Sequence, residues 1–319
     1  MKLLALLVAL LSLQLSPPTR AQIAGGKPIR LVIPFGTGGS PDILSRLIAP
    51  KMAESLGQPV VVDNKPGATG IIAAENVLKS APDGSSIFVA DSAHFGINPK
   101  LRPNLPYDPQ KDFVPVIELA SSIIFLAVGA AVPANNLQEL VALAKSRLEG
   151  VSYGSSGSGT PHHLSIELVQ LELGGKFVHV PFKGVAQSVP ALLSGDIAVV
   201  AAGPGALVSH AKAGKIRIIA AIGTSRWSRL PEVPSFNDAG INGLDVTIGF
   251  LAPAGTPPET IRRLNEETAK ALRLPEIASK LPDFALELIA GTPEQFAQSI
   301  TRQLDRFGKL VKASGAKVD

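Results

Sequence analysis

Short runs of β-branched and apolar residues alternate with longer amphipathic stretches along nearly all of this chain, and glycine-rich turns mark many of the junctions. That alternation constrains the fold more than any other feature. Strand-length runs separated by helix-length stretches read as βαβ units, which place helices over both faces of a parallel sheet. The expected strands of the first half cover 29–34, 59–63 and 86–91, with helices over 41–56 and 71–80. The middle repeats the plan: strands at 123–129, 151–153, 177–181, 197–201 and 216–222 are separated by helices at 137–147, 162–173, 185–193 and 206–213. One more strand is expected at 246–251, followed by a tail that is mainly helical over 258–271 and 293–313. Two similar α/β halves with a helical tail folded back on the first predict two lobes: 22–122 plus 249–319, and 123–248. In open sheets of this kind ligands bind outside the carboxyl ends of the strands, where the glycine turns lie.

Composition limits the function classes. At 319 residues, 45% hydrophobic and 18% charged, the chain has material for about two globular domains. Aromatics make up only 5%, which argues against a base-stacking platform, and Lys and Arg form no basic stripe, so nucleic acid is not an expected partner. There is no cysteine, which excludes a disulfide scaffold, a thiolate metal site, a cysteine nucleophile and a lipid-anchored N-terminal cysteine. The first residues have the layout of an export signal: Lys2, an apolar run from Leu3 to Leu15, a break at Ser16-Pro17-Pro18, and small residues placing cleavage after Ala21. The apolar run is too short for a membrane span, which takes about 20 residues. Loss of Lys2 and Arg20 with that segment lowers the net charge from +4 to +2.

Three turns carry the candidate chemistry, because each is expected to follow a strand and open a helix. They are Pro34-Phe35-Gly36-Thr37-Gly38-Gly39-Ser40, then Pro66-Gly67-Ala68-Thr69-Gly70, and Gly154-Ser155-Ser156-Gly157-Ser158-Gly159-Thr160-Pro161-His162-His163. The first N–H groups of a helix have no internal partner and carry the positive end of its dipole; glycine admits an anion to the backbone, and hydroxyls add donors. Such turns form a carboxylate or phosphate cradle without lysine or arginine. Stronger motifs fail. There is no Gly-x-x-x-x-Gly-Lys loop, Pro41 stands where a dinucleotide fingerprint needs its third glycine, and Ser158 stands where a nucleophile elbow needs glycine. Adjacent His162 and His163 do not form a metal pair. No cofactor is expected. The competing enzyme reading is a serine hydrolase pairing Ser156 or Ser158 with His94 or His179.

These residues and others give the chain a specific resemblance. The pattern includes Val32-Ile33-Pro34-Phe35 with Gly38-Gly39, Asn64-Lys65-Pro66-Gly67-Ala68, Pro82-Asp83-Gly84 and Leu105-Pro106-Tyr107-Asp108-Pro109. It continues through Tyr153-Gly154-Ser155, His179-Val180-Pro181-Phe182-Lys183-Gly184, Leu230-Pro231-Glu232-Val233-Pro234 and Ala252-Pro253-Ala254-Gly255-Thr256-Pro257. In this order the motifs resemble the substrate-binding proteins of tripartite tricarboxylate transporters, the TctC-like or Bug family, from position 27 to the C-terminal helix. The resemblance implies a type II periplasmic-binding-protein fold, an α/β architecture whose two lobes flank a cleft. It further implies a periplasmic, non-enzymatic monomer that holds a small carboxylate and serves integral-membrane transporter subunits; a sensor that signals to a membrane kinase is the alternative. Carried over by position, the ligand contacts are Phe35, Thr37, Gly38, Gly39 and Ser40 in the first turn, Thr69, Ser92 and His94 on neighbouring loops, and Ser155, Ser156, Gly159, Thr160 and Gln187 in the second lobe. The chain departs from the family pattern at Gln187, Ala191, Ala198 and Ile248. Two of these positions usually carry acids, so a simple carboxylate or dicarboxylate is favoured over an amino acid.

Overall fold

The computed structural model describes residues 23–316. The expected export signal therefore lies outside the described residues. Strand β1 (Ile29–Ile33) leads through the first glycine turn into α1 (Ser40–Leu56), and β2 (Val60–Asn64) through the second into α2 (Ile71–Leu78). Strand β3 (Ser86–Asp91) runs into a π-helical turn (Ala93–Ile97) and the short α3 (Asn98–Leu101). The long β4 (Phe113–Ser122) is followed at once by β5 (Phe125–Gly129), and then by α4 (Leu137–Ser146), β6 (Val151–Ser155) and α5 (Pro161–Leu173). Next come β7 (Phe177–Pro181), α6 (Val185–Ser194), β8 (Val199–Ala202), α7 (Pro204–Lys212) and β9 (Ile216–Ala221). The chain closes with β10 (Val246–Pro253), α8 (Pro258–Arg273), α9 (Pro275–Ala278), β11 (Leu286–Leu288) and α10 (Pro293–Ser314).

The strands form two sheets, ordered β11-β4-β10-β3-β1-β2 and β7-β6-β8-β5-β9. Pairs β1–β2, β1–β3, β6–β7 and β6–β8 are parallel, as βαβ reasoning predicts. Both sheets are nevertheless mixed, because β10 lies antiparallel to β3 and β4, and β5 antiparallel to β8 and β9. The cause is connectivity: β5 and β10 each enter their sheet from the other sheet, β5 directly after β4 and β10 after the return from β9, so neither is placed by a βαβ crossover. Among the described residues two segments join strands of the two sheets, 123–124 going out and 222–245 returning.

Strand β4 is not evident from sequence pattern, since Pro115 interrupts it and Glu118 sits within its buried run. The structure accommodates Pro115 beside a register shift in the β4–β10 ladder, between Phe250 and Leu251, where a bulge relaxes the demand for a ladder donor.

The tail differs from expectation in a way that ties the two sheets together. The first half of α10 buries Phe296, Ile300 and Leu304 with Phe88, Phe95 and Phe113 of the first sheet's cluster. Its second half buries Phe307, Leu310 and Val311 in a different cluster, with Ile124, Tyr153 and Leu164 of the second lobe and Ile97 and Leu101 of the first. A helix of 22 residues is about 33 Å long, enough to pass beyond one lobe and pack on the other. Phe307 is 1% exposed at this junction. Phe307→Ala is expected to lower stability by about 3–5 kcal/mol, measured by urea unfolding. A loss under 1 kcal/mol would mean that this contact does not bind the tail to the second lobe.

Candidate functional site

The first turn is held from beneath by one buried carboxylate. Asp42, in the first turn of α1, accepts hydrogen bonds from the Gly38 N–H at 2.9 Å, from Arg46 Nε at 3.0 Å and from Asn64 Nδ2 at 2.9 Å. The same Asn64 amide donates to the Phe35 carbonyl, and Arg46 donates to Asn64 Oδ1. Burial opposes ionisation of Asp42, yet the bonds from Arg46, Gly38 and Asn64 outweigh it and hold the pKa below the ordinary carboxylate value. The turn is thus shaped by residues that do not line it. Its own Gly39 caps α1 without any side-chain hydrogen bond, so the helix start is left to other partners.

A second uncapped helix start faces the first. Helix α7 begins at Gly203-Pro204-Gly205, again with no side-chain cap. A cavity of 490 Å³ lies between the two sheets, lined on one side by Gly38 and Ser40 and on the other by Gly203, Pro204 and Gly205, with Ser122 and Ile123 of the first inter-sheet connection among its walls. Gly203-Pro204-Gly205 is not among the turns expected from sequence, because it carries no hydroxyl. The strand–glycine–helix pattern was the signal available.

The third turn is built differently from expectation, with its hydroxyls bonded inward. Ser155 is fully buried; its Oγ lies 2.7 Å from His179 Nε2 and donates to the Gly157 carbonyl at 3.0 Å. Ser156 Oγ lies 2.7 Å from His162 Nδ1. Thr160 donates to the Gly157 carbonyl at 2.8 Å and caps α5 through the His163 N–H. The serine–histidine pairs are therefore Ser155–His179 and Ser156–His162, and neither serine pairs with His94. Gly159, at φ +75°, takes the left-handed conformation, and a Cβ there would meet Leu101 Cδ2 at 2.1 Å. Only glycine lets Leu101 of the first lobe press against this turn.

The remaining expected contacts are dispersed. Thr37 is exposed. Exposed Thr69 donates to the Ala68 carbonyl, and both residues have left-handed φ, 50° and 46°, a local strain in non-glycine residues. Ser92 is completely buried and accepts from the Thr247 N–H at 2.8 Å, so it ties β10 to the end of β3 and does not point into the cavity between the sheets. His94 is also buried, with Nδ1 at 2.7 Å from Asp91 Oδ1 and the Phe35 and Phe88 rings edge-on to it. Gln187 is exposed and accepts from the Lys183 N–H at 3.1 Å, closing the loop before α6.

Beneath the third turn Tyr153, His179 and His163 form a stack, with the two imidazoles 3.9 Å apart and 15° from parallel. His163 Nδ1 accepts from the Gly159 N–H at 3.0 Å, so that nitrogen carries no proton. Tyr153 donates to Glu167 at 2.5 Å. Burial, with the neighbouring His179, pushes the His163 pKa from 6.5 down to about 4. Burial also lowers His162 to about 4, against the opposing pull of Asp91 from the first lobe. Both rings are neutral at pH 7. Because they titrate below their unfolded values, the unfolded chain takes up protons first as pH falls, so stability present above about 6.5 is lost progressively towards about 4. The thermal midpoint is expected to be lower at pH 5 than at pH 7, and the drop smaller in His163→Gln. An identical drop in that variant would remove the stack from the explanation.

Comparison with known proteins matches this arrangement. The family model "Tripartite tricarboxylate transporter family receptor" matches residues 44–316. Protein BugT of Bordetella pertussis is 30% identical over 95% of this chain and 94% of its own length. A Rhodopseudomonas palustris protein solved with adipate shares 30% identity and a TM-score of 0.78, covering 95% of this chain and 99% of that one. MatC from the same organism, solved with bound malate, shares 28% identity and a TM-score of 0.73, covering 89% and 99%. The two mixed sheets with helices on their faces and a cleft between them are the two-lobe fold of periplasmic binding proteins. With a family match over most of its length and the same lobes in its structural neighbours, the chain belongs to the tripartite tricarboxylate transporter receptor family, the TctC or Bug solute-binding proteins.

Proposed function

We propose that this protein, exported to the periplasm with its signal removed after Ala21, captures a small carboxylate between its lobes and presents it to the membrane subunits of a tripartite transporter. One observation carries the reading: two helices from opposite lobes, α1 and α7, start without side-chain caps and line the same 490 Å³ cavity. Each helix terminus contributes about 0.3–1 kcal/mol to an anion at an exposed site and up to about 2 kcal/mol when partly buried. A carboxylate that bridges both is more stable in the closed arrangement than in an open one, which is the differential contact a closure needs. Family relatives solved with adipate and malate support a dicarboxylate as the ligand class. The candidate contacts are the backbone N–H groups of Gly39, Ser40 and Gly205, with the Ser40 hydroxyl. Phe35, stacked edge-on to His94 at 5.3 Å, forms the apolar wall behind the first turn. The third turn supports the cleft through its packing on Leu101.

The test separates binding from stability. A dicarboxylate present at about 100 times its dissociation constant is expected to add about 2.7 kcal/mol of stability and raise the thermal midpoint by several degrees. Gly205 has an ordinary φ and a Cβ there would meet nothing within 4 Å, so Gly205→Glu fits without backbone strain. Its carboxylate lies in the first turn of α7, where the dipole favours it, so the unliganded protein should be as stable as the parent or more so. The same charge repels a bound anion, and affinity should fall about tenfold or more. Unchanged affinity in Gly205→Glu would overturn the assignment of this cavity.

A further inference from the structure

The cavity between α1 and α7 has an apolar band one helical turn below its donors. On α1, Ile43 stands three residues after Ser40, and on α7, Val208 stands three after Gly205; all four line the cavity. Residues three apart share a helix face, and helical side chains lean back toward the N-terminus. Ile43 and Val208 therefore each cover the wall next to their own helix start. The two segments that join the sheets add Ile123 and Trp227, and the turn before β11 adds Phe284. Ile123 and Trp227 are each 7% exposed, and the Trp227 ring packs edge-on against Phe125 at 5.8 Å. The Trp227 Nε1–H is buried, out of a ligand's reach.

Polar side chains are scarce here. Among the described residues that line the cavity only Ser40, Ser122 and Asp283 carry a side-chain oxygen, and none is basic. Asp283 is exposed and ion-paired with Arg229 at 2.5 Å. The backbone N–H groups of the two helix starts can satisfy a carboxylate, but little remains for hydroxyl or amino groups along the rest of a ligand. A hydroxyl taken from water without a partner lowers affinity, while each methylene laid on these side chains raises it. We propose that the ligand's body is apolar: the site selects carboxylates whose carbon chain or ring bears no hydroxyl or amino group, and Ile43, Val208, Trp227 and Phe284 set that preference. The inference rests on the cleft reading given above and narrows it, since adipate fits the class and malate, with its hydroxyl, is disfavoured.

The test compares adipate with galactarate, which is adipate with a hydroxyl on each methylene carbon, so chain length and charge are the same. Calorimetric titration of the wild-type protein is expected to give adipate an affinity about tenfold or more above that of galactarate. Trp227 is the chain's one tryptophan, so its emission should shift as adipate binds. Val208→Thr keeps the side-chain shape and the charge while adding a hydroxyl, and should narrow the preference about threefold or more. Equal or tighter binding of galactarate, adipate binding that leaves Trp227 emission unchanged, or an unchanged preference in Val208→Thr would overturn the apolar-body inference alone, provided Gly205→Glu still weakens binding. Binding that Gly205→Glu does not weaken, or no saturable heat from either ligand up to about 10 mM, would overturn the cleft reading and this inference with it.

Discussion

The proposed carboxylate site depends on backbone N–H groups at the starts of α1 and α7. A helix start without a side-chain cap is costly when buried and dry, and it becomes useful when a ligand supplies the missing acceptor. Here two such starts come from different sheets and share one cavity. The neutral imidazole of His162 at the third turn adds no cation, so in the proposed site the selection of an anion rests on amide dipoles and leaves the ligand's exact shape to the cavity walls. That division suits a family whose members solved with adipate and with malate keep the same lobes.

The dipoles are only as good as their aim, and the aim comes from residues that never enter the cleft. Asp42, Arg46 and Asn64 set the first turn; the Tyr153–His179–His163 stack and Glu167 set the third. Within the first sheet, Ser92 accepts from the Thr247 N–H at the start of β10, while between the lobes α10 spans from the Phe296 cluster to the Phe307 cluster. Any closing motion therefore has to be absorbed at 123–124 and 222–245, with the second half of α10 moving with one lobe or sliding on it. The contact of Leu101 with Gly159 is a further inter-lobe seat, available because residue 159 has no side chain.

Much of this architecture is legible in the sequence, for a physical reason. Continuous apolar runs of strand length report strands buried on both faces, and β1, β3 and β5 declare themselves this way, while a period-3.6 pattern declares α8 and α10. Strand β4 does not, because Pro115 and Glu118 break the pattern and their tolerance depends on a bulge and on Ser299 and Thr247, partners far away in sequence. The site was half legible. Strand–glycine–helix junctions located the first turn, but residue type could not say which way a hydroxyl points: Ser155, Ser156 and Thr160 turn inward to histidines and the Gly157 carbonyl, and Ser92 to a backbone amide. Gly203-Pro204-Gly205 is illegible for the converse reason, since its proposed contribution is backbone alone.

The most direct measurement is a backbone amide NMR spectrum of the mature protein, assigned and titrated with adipate and with malate. Binding between two helix starts predicts that the largest shifts fall on Gly39, Ser40 and Gly205 together, saturating at the same concentration. Shifts confined to one lobe, or absent from these amides while others saturate, would contradict the account.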